Sequence, residues 1–304
     1  MSVLPQLSPE VKEALAAGRP VVALESTIIS HGLPRPDNLA AARSFEALLT
    51  EAGVTPATIA VIDGVPKAGL SGADLERIAF DESVIKVSSR DLGLARAGKR
   101  TAGTTVAATS ALAAKAGIRV FATGGLGGVH RGFAGSLDES ADLTALSRTP
   151  VTVVSAGVKS ILDIPATLER LETLGVAVVG YRTNRFPAFY LTDSGQDLDW
   201  RLDSPEEVAA VMAARDRLGD TSALLVANPL PPGQQLDPAA HDRALAAALR
   251  AAEAEGIHGK AVTPYLLAHM QRATGGASVA VNLDVARGNI TLAGQIATAW
   301  SQVA

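Results

Sequence analysis

Lys159 lies in Val151-Thr-Val-Val-Ser-Ala-Gly-Val-Lys-Ser-Ile-Leu-Asp163, where almost every neighbour is apolar or small. A lysine held there loses hydration, which disfavours its charged form and lowers its pKa. A neutral amine near pH 7 attacks carbonyl-like carbon, the basis of Schiff-base catalysis. The alternative is a lysine whose stem packs while its ammonium reaches water or pairs with Asp163. A second candidate is Glu25, in Glu25-Ser-Thr27 at the end of an apolar run, with His31 shortly after. A carboxylate at a strand end can act as a general acid, or merely cap or pair.

Four more groups could carry chemistry. The loop Thr123-Gly-Gly-Leu-Gly-Gly-Val-His-Arg131 holds four glycines, which allow close backbone approach and expose amides suited to phosphate. It lacks the Gly-Lys-Ser/Thr of a P-loop and the spacing of a dinucleotide fingerprint, and it also reads as a structural turn. Asp138, Glu139 and Asp142 cluster just beyond it, offering hard oxygen ligands for Mg²⁺ or Mn²⁺, although Ser140 or Asp138 also reads as a helix cap. Lys86, followed by Ser88, Ser89 and Arg90, can hold phosphate or simply edge a strand. Asn282 and Asn289 are seven apart, so a helix places them on one face, and Asn289 after Gly288 also resembles a cap.

These residues need a frame, and the apolar periodicity supplies one. Strands are expected at Val21–Leu24, Thr58–Ile62, Val84–Ser88, Arg119–Thr123, Val151–Ser155, Val176–Tyr181 and Ala223–Ala227. Helices are expected from Ser8 to Gly18, Pro36 to Ala52, Thr104 to Ala116, Pro165 to Leu174 and Pro205 to Leu218, with Ser71 and Asp74 as a capping pair. Such alternation predicts a three-layer α/β/α fold with a mostly parallel central sheet, and ligands bind beyond the carboxyl ends of its strands. The expectation is one domain over residues 1–304. Pro229-Leu-Pro-Pro-Gly233 is the best candidate boundary, or simply a loop.

Composition narrows the function. The 304 residues are 47% hydrophobic but only 4% aromatic, so the core is built from Ala, Val, Leu and Ile. There is no cysteine, which excludes disulfides and thiolate chemistry. A formal net charge of −4 does not suit a nucleic-acid binder. No apolar run reaches membrane-spanning length, and the segment Met1–Glu10 lacks a signal-peptide pattern. A soluble, cytoplasmic protein is expected.

Several stretches in one order carry a resemblance: Ala23-Leu-Glu-Ser-Thr-Ile-Ile-Ser-His-Gly32, Lys86-Val-Ser-Ser-Arg-Asp-Leu92, Gly103-Thr-Thr-Val-Ala-Ala-Thr109, Ala122 to Arg131, Asp138-Glu-Ser-Ala-Asp-Leu143, Ser155 to Asp163 and Ala261-Val-Thr-Pro-Tyr-Leu-Leu267. From about Val21 to the C-terminus the chain resembles the pseudouridine-5′-phosphate glycosidase family, related to the indigoidine-synthase-A-like proteins. The resemblance implies reversible cleavage of the C–C glycosidic bond of pseudouridine 5′-phosphate to uracil and ribose 5-phosphate, a divalent metal, usually Mn²⁺, and a homotrimer. It implies that Lys159 is the imine-forming lysine, Glu25 the proton donor and Asp138 the metal ligand. It places Lys86, Val106, Ser140, Ala141 and Asp142 at substrate, with Thr123, His130 and Asn282 or Asn289 beside them. Leu137 and Glu139 stand where the family often has other residues. The competing readings are a related C-nucleotide or sugar-phosphate enzyme, and a non-catalytic binder of phosphorylated nucleosides. Retention of both Lys159 and Glu25 argues against the binder.

Overall fold

The short apolar runs form the middle of a large sheet. The structure is a computed structural model that describes residues 4–257 and 259–303; residues 1–3 of the segment read for a leader lie outside it. Its strands are β1 (Gln6–Leu7), β2 (Val21–Leu24), β3 (Thr55–Ile62), β4 (Val65–Ala68), β5 (Ile85–Val87), β6 (Ala102–Thr104), β7 (Val120–Ala122), β8 (Thr152–Ser155), β9 (Ala177–Tyr181), β10 (Arg201–Leu202) and β11 (Leu224–Ala227). The order is β1-β4-β3-β2-β7-β8-β11-β9-β10, with β6 also on β3 and β5 beyond it. Among the described strands, β3–β4 and β3–β6 pair antiparallel and the other pairs are parallel.

β2, β8 and β11 are buried at every position, as expected where both faces of a parallel sheet are covered. On one face Val22, Leu24, Val120, Val154 and Val226 pack with Phe45 and Leu49, Val208 and Met212, and Ala286 and Ile290. Those partners come from α2 (Asp37–Glu51), α9 (Pro205–Leu218) and α12 (Ala277–Trp300). On the other, Ala23, Phe121, Val153 and Leu225 share a core with Val11, Leu112, Leu146, Leu171, Leu245 and Met270. These lie on α1 (Pro9–Ala16), α5 (Val106–Ala116), α7 (Ala141–Leu146), α8 (Ile164–Thr173), α10 (Pro238–Ala254) and α11 (Val262–Ala273). The three-layer α/β/α expectation holds. No helix among the described residues is long and apolar enough to cross a membrane.

Helix starts follow the sequence signals. Ser8 caps α1, and Ser71 and Asp74 form a reciprocal capping box on α3 (Gly72–Phe80). The antiparallel excursion was not expected. β4 doubles back through Asp63 and Gly64, both at positive φ, and β6 is three residues long, too short to show a period. Pro229–Gly233 runs into a short 3₁₀ turn at Pro232–Gln234, and Leu230 and Leu236 join the same core as Phe121.

Candidate active site

Glu25 leaves the end of β2 and is fixed from two sides. One carboxylate oxygen accepts from the Thr27 hydroxyl and the other from the Thr123 hydroxyl. Ser26 beside it is buried, donates to Ile59 O at 2.7 Å and accepts from Thr104 N at 2.9 Å. These bonds tie the end of β2 to β3 and β6. Ser30 then donates to Ser26 O at 3.0 Å, within a wide helical turn over Ile28–Gly32. Gly103 of β6 is required here, because a Cβ would collide with Ser30 Oγ.

Lys86 on β5 pairs in register with Gly103, which carries it to the same end of the molecule. Its side chain reaches solvent, but protein crowds the amine and burial lowers its pKa. The charge of Lys159 lowers it further, while Glu25 and Asp142 oppose the shift. His31 is likewise shifted down, first by burial and then by the charge of Lys86, with the Val84 backbone opposing. Glu25, Asp142 and Lys159, spread over the chain, thus act on one amine, that of Lys86.

Lys159 is half-buried and donates from Nζ to Gly125 O at 2.7 Å. It does not pair with Asp163, which caps α8 by accepting from Ala166 N at 3.1 Å. Backbone bonds stitch the lysine to the glycine loop: Leu126 N donates to Gly157 O at 2.9 Å, and Lys159 N to Leu126 O at 3.1 Å. A Cβ on Gly125 would sit 2.5 Å from Phe189 Cδ2, one on Gly127 would strike Ser140 Oγ, and one on Gly128 would strike Thr167 Oγ1. The amides of Leu126, Gly127, Val129 and His130 donate to Gly157 O, Asp142 Oδ2, Thr167 Oγ1 and Asp138 O. Four of the loop's amides are thus engaged within the protein, its glycines permit close packing, and the loop turns the Gly125 carbonyl toward Lys159.

The acidic cluster does not converge. Glu139 forms a bidentate pair with Arg170 at 2.8 and 3.0 Å. Asp142 is buried and accepts from Ala107 N and Gly127 N, both at 2.9 Å, holding the loop against the positive end of α5. Val106 and Ala107 are the first residues of that helix, whose cap is Thr105. Ser140 does cap α7, accepting from Asp142 N at 3.2 Å, and Ala141 opens that helix. Asp138 is half-exposed, with His130 Nδ1 3.9 Å from its Oδ2. Among the described residues no three His, Asp or Glu side chains come together as metal ligands. The fit that remains is one carboxylate completed by water and substrate oxygen, a mode that Mg²⁺-like cations use.

The sequence pattern of indigoidine synthase A like proteins matches residues 10–299. The chain belongs to that family. It is 61% identical over 298 residues to the pseudouridine-5′-phosphate glycosidase of Saccharopolyspora erythraea, covering 98% of each chain. It is 63% identical over 295 residues to the protein of that name from Frankia alni, covering 97% of this chain and 82% of that one. Among solved structures, the prealnumycin C-glycosynthase AlnA in complex with ribulose 5-phosphate superposes with a TM-score of 0.92 at 38% identity, covering 100% of this chain and 99% of that one. An indigoidine synthase A-like protein of Thermotoga maritima gives 0.87 at 36%, covering 98% and 97%.

In this family member the two asparagines lie inside α12, so Asn289 is no cap. Asn282 is half-buried, its Oδ1 3.4 Å from where a Cβ would stand on Gly124. Asn289 is buried and donates to Thr123 O at 2.8 Å and Gly124 O at 3.2 Å. Sequence reasoning missed Asn228, which donates to Asn289 Oδ1 at 3.0 Å. It also missed Phe189, at positive φ against the glycine loop, and His241, whose Nε2 lies 2.8 Å from Ser160 Oγ. Asn228 directly follows β11, and strand ends were the signal that could have found it.

Proposed function

We propose that the chain is a pseudouridine-5′-phosphate glycosidase, cleaving the C–C glycosidic bond reversibly to uracil and ribose 5-phosphate. The observation that carries the reading is the convergence of Lys159, Lys86 and Glu25 at the carboxyl ends of the strands. Relatives covering nearly the whole chain bear that name. A neighbour of the same fold is named a C-glycosynthase and was solved with ribulose 5-phosphate, which supports a pentose-5-phosphate site.

Uracil departing through carbon is a poor leaving group, so the sugar must accept electrons first. Lys159 Nζ attacks C1′ as the C1′–O4′ bond breaks, and the proton shed by the new secondary ammonium passes to O4′. Glu25 protonates C5 of uracil, and the nitrogen lone pair then forms C1′=N while the C1′–C5 pair restores the C5=C6 bond and uracil departs. Water hydrolyses the imine to ribose 5-phosphate, freeing Lys159 and returning a proton to Glu25. Thr27 and Thr123 fix the acid in place. Lys86 holds the phosphate as an ammonium, with Val106, Ser140, Ala141 and Asp142 lining the substrate beside the α5 N-terminus and His130 and Asn282 completing the pocket. A divalent cation, Mn²⁺ by resemblance, would be held by Asp138 and water, and would supply positive charge toward substrate oxygen.

Uracil release from pseudouridine 5′-phosphate tests the reading. Lys159→Ala and Lys159→Arg should both stay folded with essentially no turnover, because a guanidinium keeps its proton and forms no imine. Substantial activity in either overturns the assignment. Chelation should abolish turnover, with Mn²⁺ restoring it better than Ca²⁺, and Asp138→Ala should mimic chelation; full activity after exhaustive chelation refutes the metal. The homotrimer is checked by light scattering, and a cytoplasmic location by fractionation.

A further inference from the structure

Asn289 fits poorly as a substrate contact. It is 1% exposed, and both ends of its carboxamide are engaged by protein. Its amide donates to Thr123 O and Gly124 O, and its oxygen accepts from Asn228. Thr123 is the residue whose hydroxyl donates to Glu25. Helix α12 therefore reaches the proton donor through one buried side chain. Gly124 O is shared, accepting from Asn289 and from Ala156 N, while the Lys159 side of the glycine loop has supports of its own in the backbone bonds from Leu126 N to Gly157 O and Lys159 N to Leu126 O.

We infer that Asn289, backed by Asn228, is a positioning residue that sets Glu25 through Thr123 and leaves Lys159 to its own supports. Asn282, on the same face of α12, stays free to meet substrate. The inference rests on the glycosidase reading. Thr123 N donates to Val154 O at 3.0 Å, so losing Asn289 shifts this residue within its strand end rather than unravelling it. Small misplacement of an acid is felt in the chemical step more than in binding.

The test compares wild type, Asn289→Asp and Asn228→Ala. The Asp variant keeps the volume but turns a carboxylate on two carbonyls. Asn228 is half-buried, so its truncation is tolerated and carries the test if Asn289→Asp does not fold. Expected are falls in kcat of about a hundredfold for Asn289→Asp and about fivefold for Asn228→Ala, with KM for pseudouridine 5′-phosphate nearly unchanged. Each protein is also treated with ribose 5-phosphate and borohydride, which reduces an imine to a stable amine. The peptide holding Lys159 should be labelled to the wild-type extent in both variants, with Lys86 unlabelled. A raised KM at unchanged kcat means Asn289 touches substrate and overturns the inference. Labelling lost in step with turnover also overturns it, since the whole site then collapses together. A wild-type chain that neither labels nor releases uracil overturns the glycosidase reading and the inference with it.

Discussion

Lys86 and Lys159 approach one space from opposite halves of the chain, and the closeness has a measurable consequence. Lys86 gives up its proton at a lower pH than an ordinary lysine, because burial and the charge of Lys159 disfavour the ammonium. If the ammonium holds the phosphate, raising the pH removes that charge early. KM for pseudouridine 5′-phosphate should therefore climb on the alkaline side, starting below the ordinary lysine range, while Lys86→Gln should show a high KM that no longer follows this limb. A pH-independent KM in the wild type removes Lys86 from the phosphate. Ser160, His241 and Asp242 carry the residue types of an acyl-transfer triad, with Nδ1 of His241 3.0 Å from Asp242 Oδ1. Yet Ser160 is 3% exposed, and its bond to His241 ties the segment next to Lys159 to α10. His241→Ala strands a buried hydroxyl and should cost about 1–3 kcal/mol, read as a lowered Tm. Lys159 was legible because a cation among small apolar residues is conspicuous in one dimension. His241 was not, since its partner is 81 positions away.

At the scale of elements, the turns deliver chemistry with little slack. Gly157 has φ +74°, and a Cβ there would lie 2.5 Å from Pro187 O, a backbone atom that cannot swing aside. Gly157→Ala should cost about 3 kcal/mol from left-handed strain and overpacking together. Gly195→Ala is the control: φ is +85° but the space is open, so only the strain, about 1 kcal/mol, should appear. Equal losses by denaturant titration would show that the Pro187 contact relaxes. The helix starts and central strands were legible, because capping residues and apolar runs announce them locally. The β4 and β6 excursion was not. It depends on Gly103 tolerating Ser30, a contact between segments that no local period records. The glycine loop was half legible: its need for close approach was evident, but what approaches it, Phe189, Ser140 and Thr167, is set by the fold.

For the molecule as a whole, helix α12 packs across β2, β7 and β8 and between α2 and α9, and through Asn289 it holds Thr123, whose hydroxyl donates to Glu25. During synthesis the chain emerges from its N-terminus, so Glu25, Lys86 and Lys159 all leave the ribosome before residues 277–300 exist. Parallel pairing between distant strands is slow to form, and domains of this size tend to pass through populated intermediates. The nascent chain therefore carries Lys159 and Glu25, the proposed nucleophile and acid, for many seconds without the helix proposed to set Glu25. A ribosome-bound chain stalled before residue 277 should release no uracil and resist proteolysis poorly, while release of the finished chain should bring activity and protection together. On the proposed reading the order of synthesis acts as a timer, keeping the Lys159 amine idle until the last helix arrives.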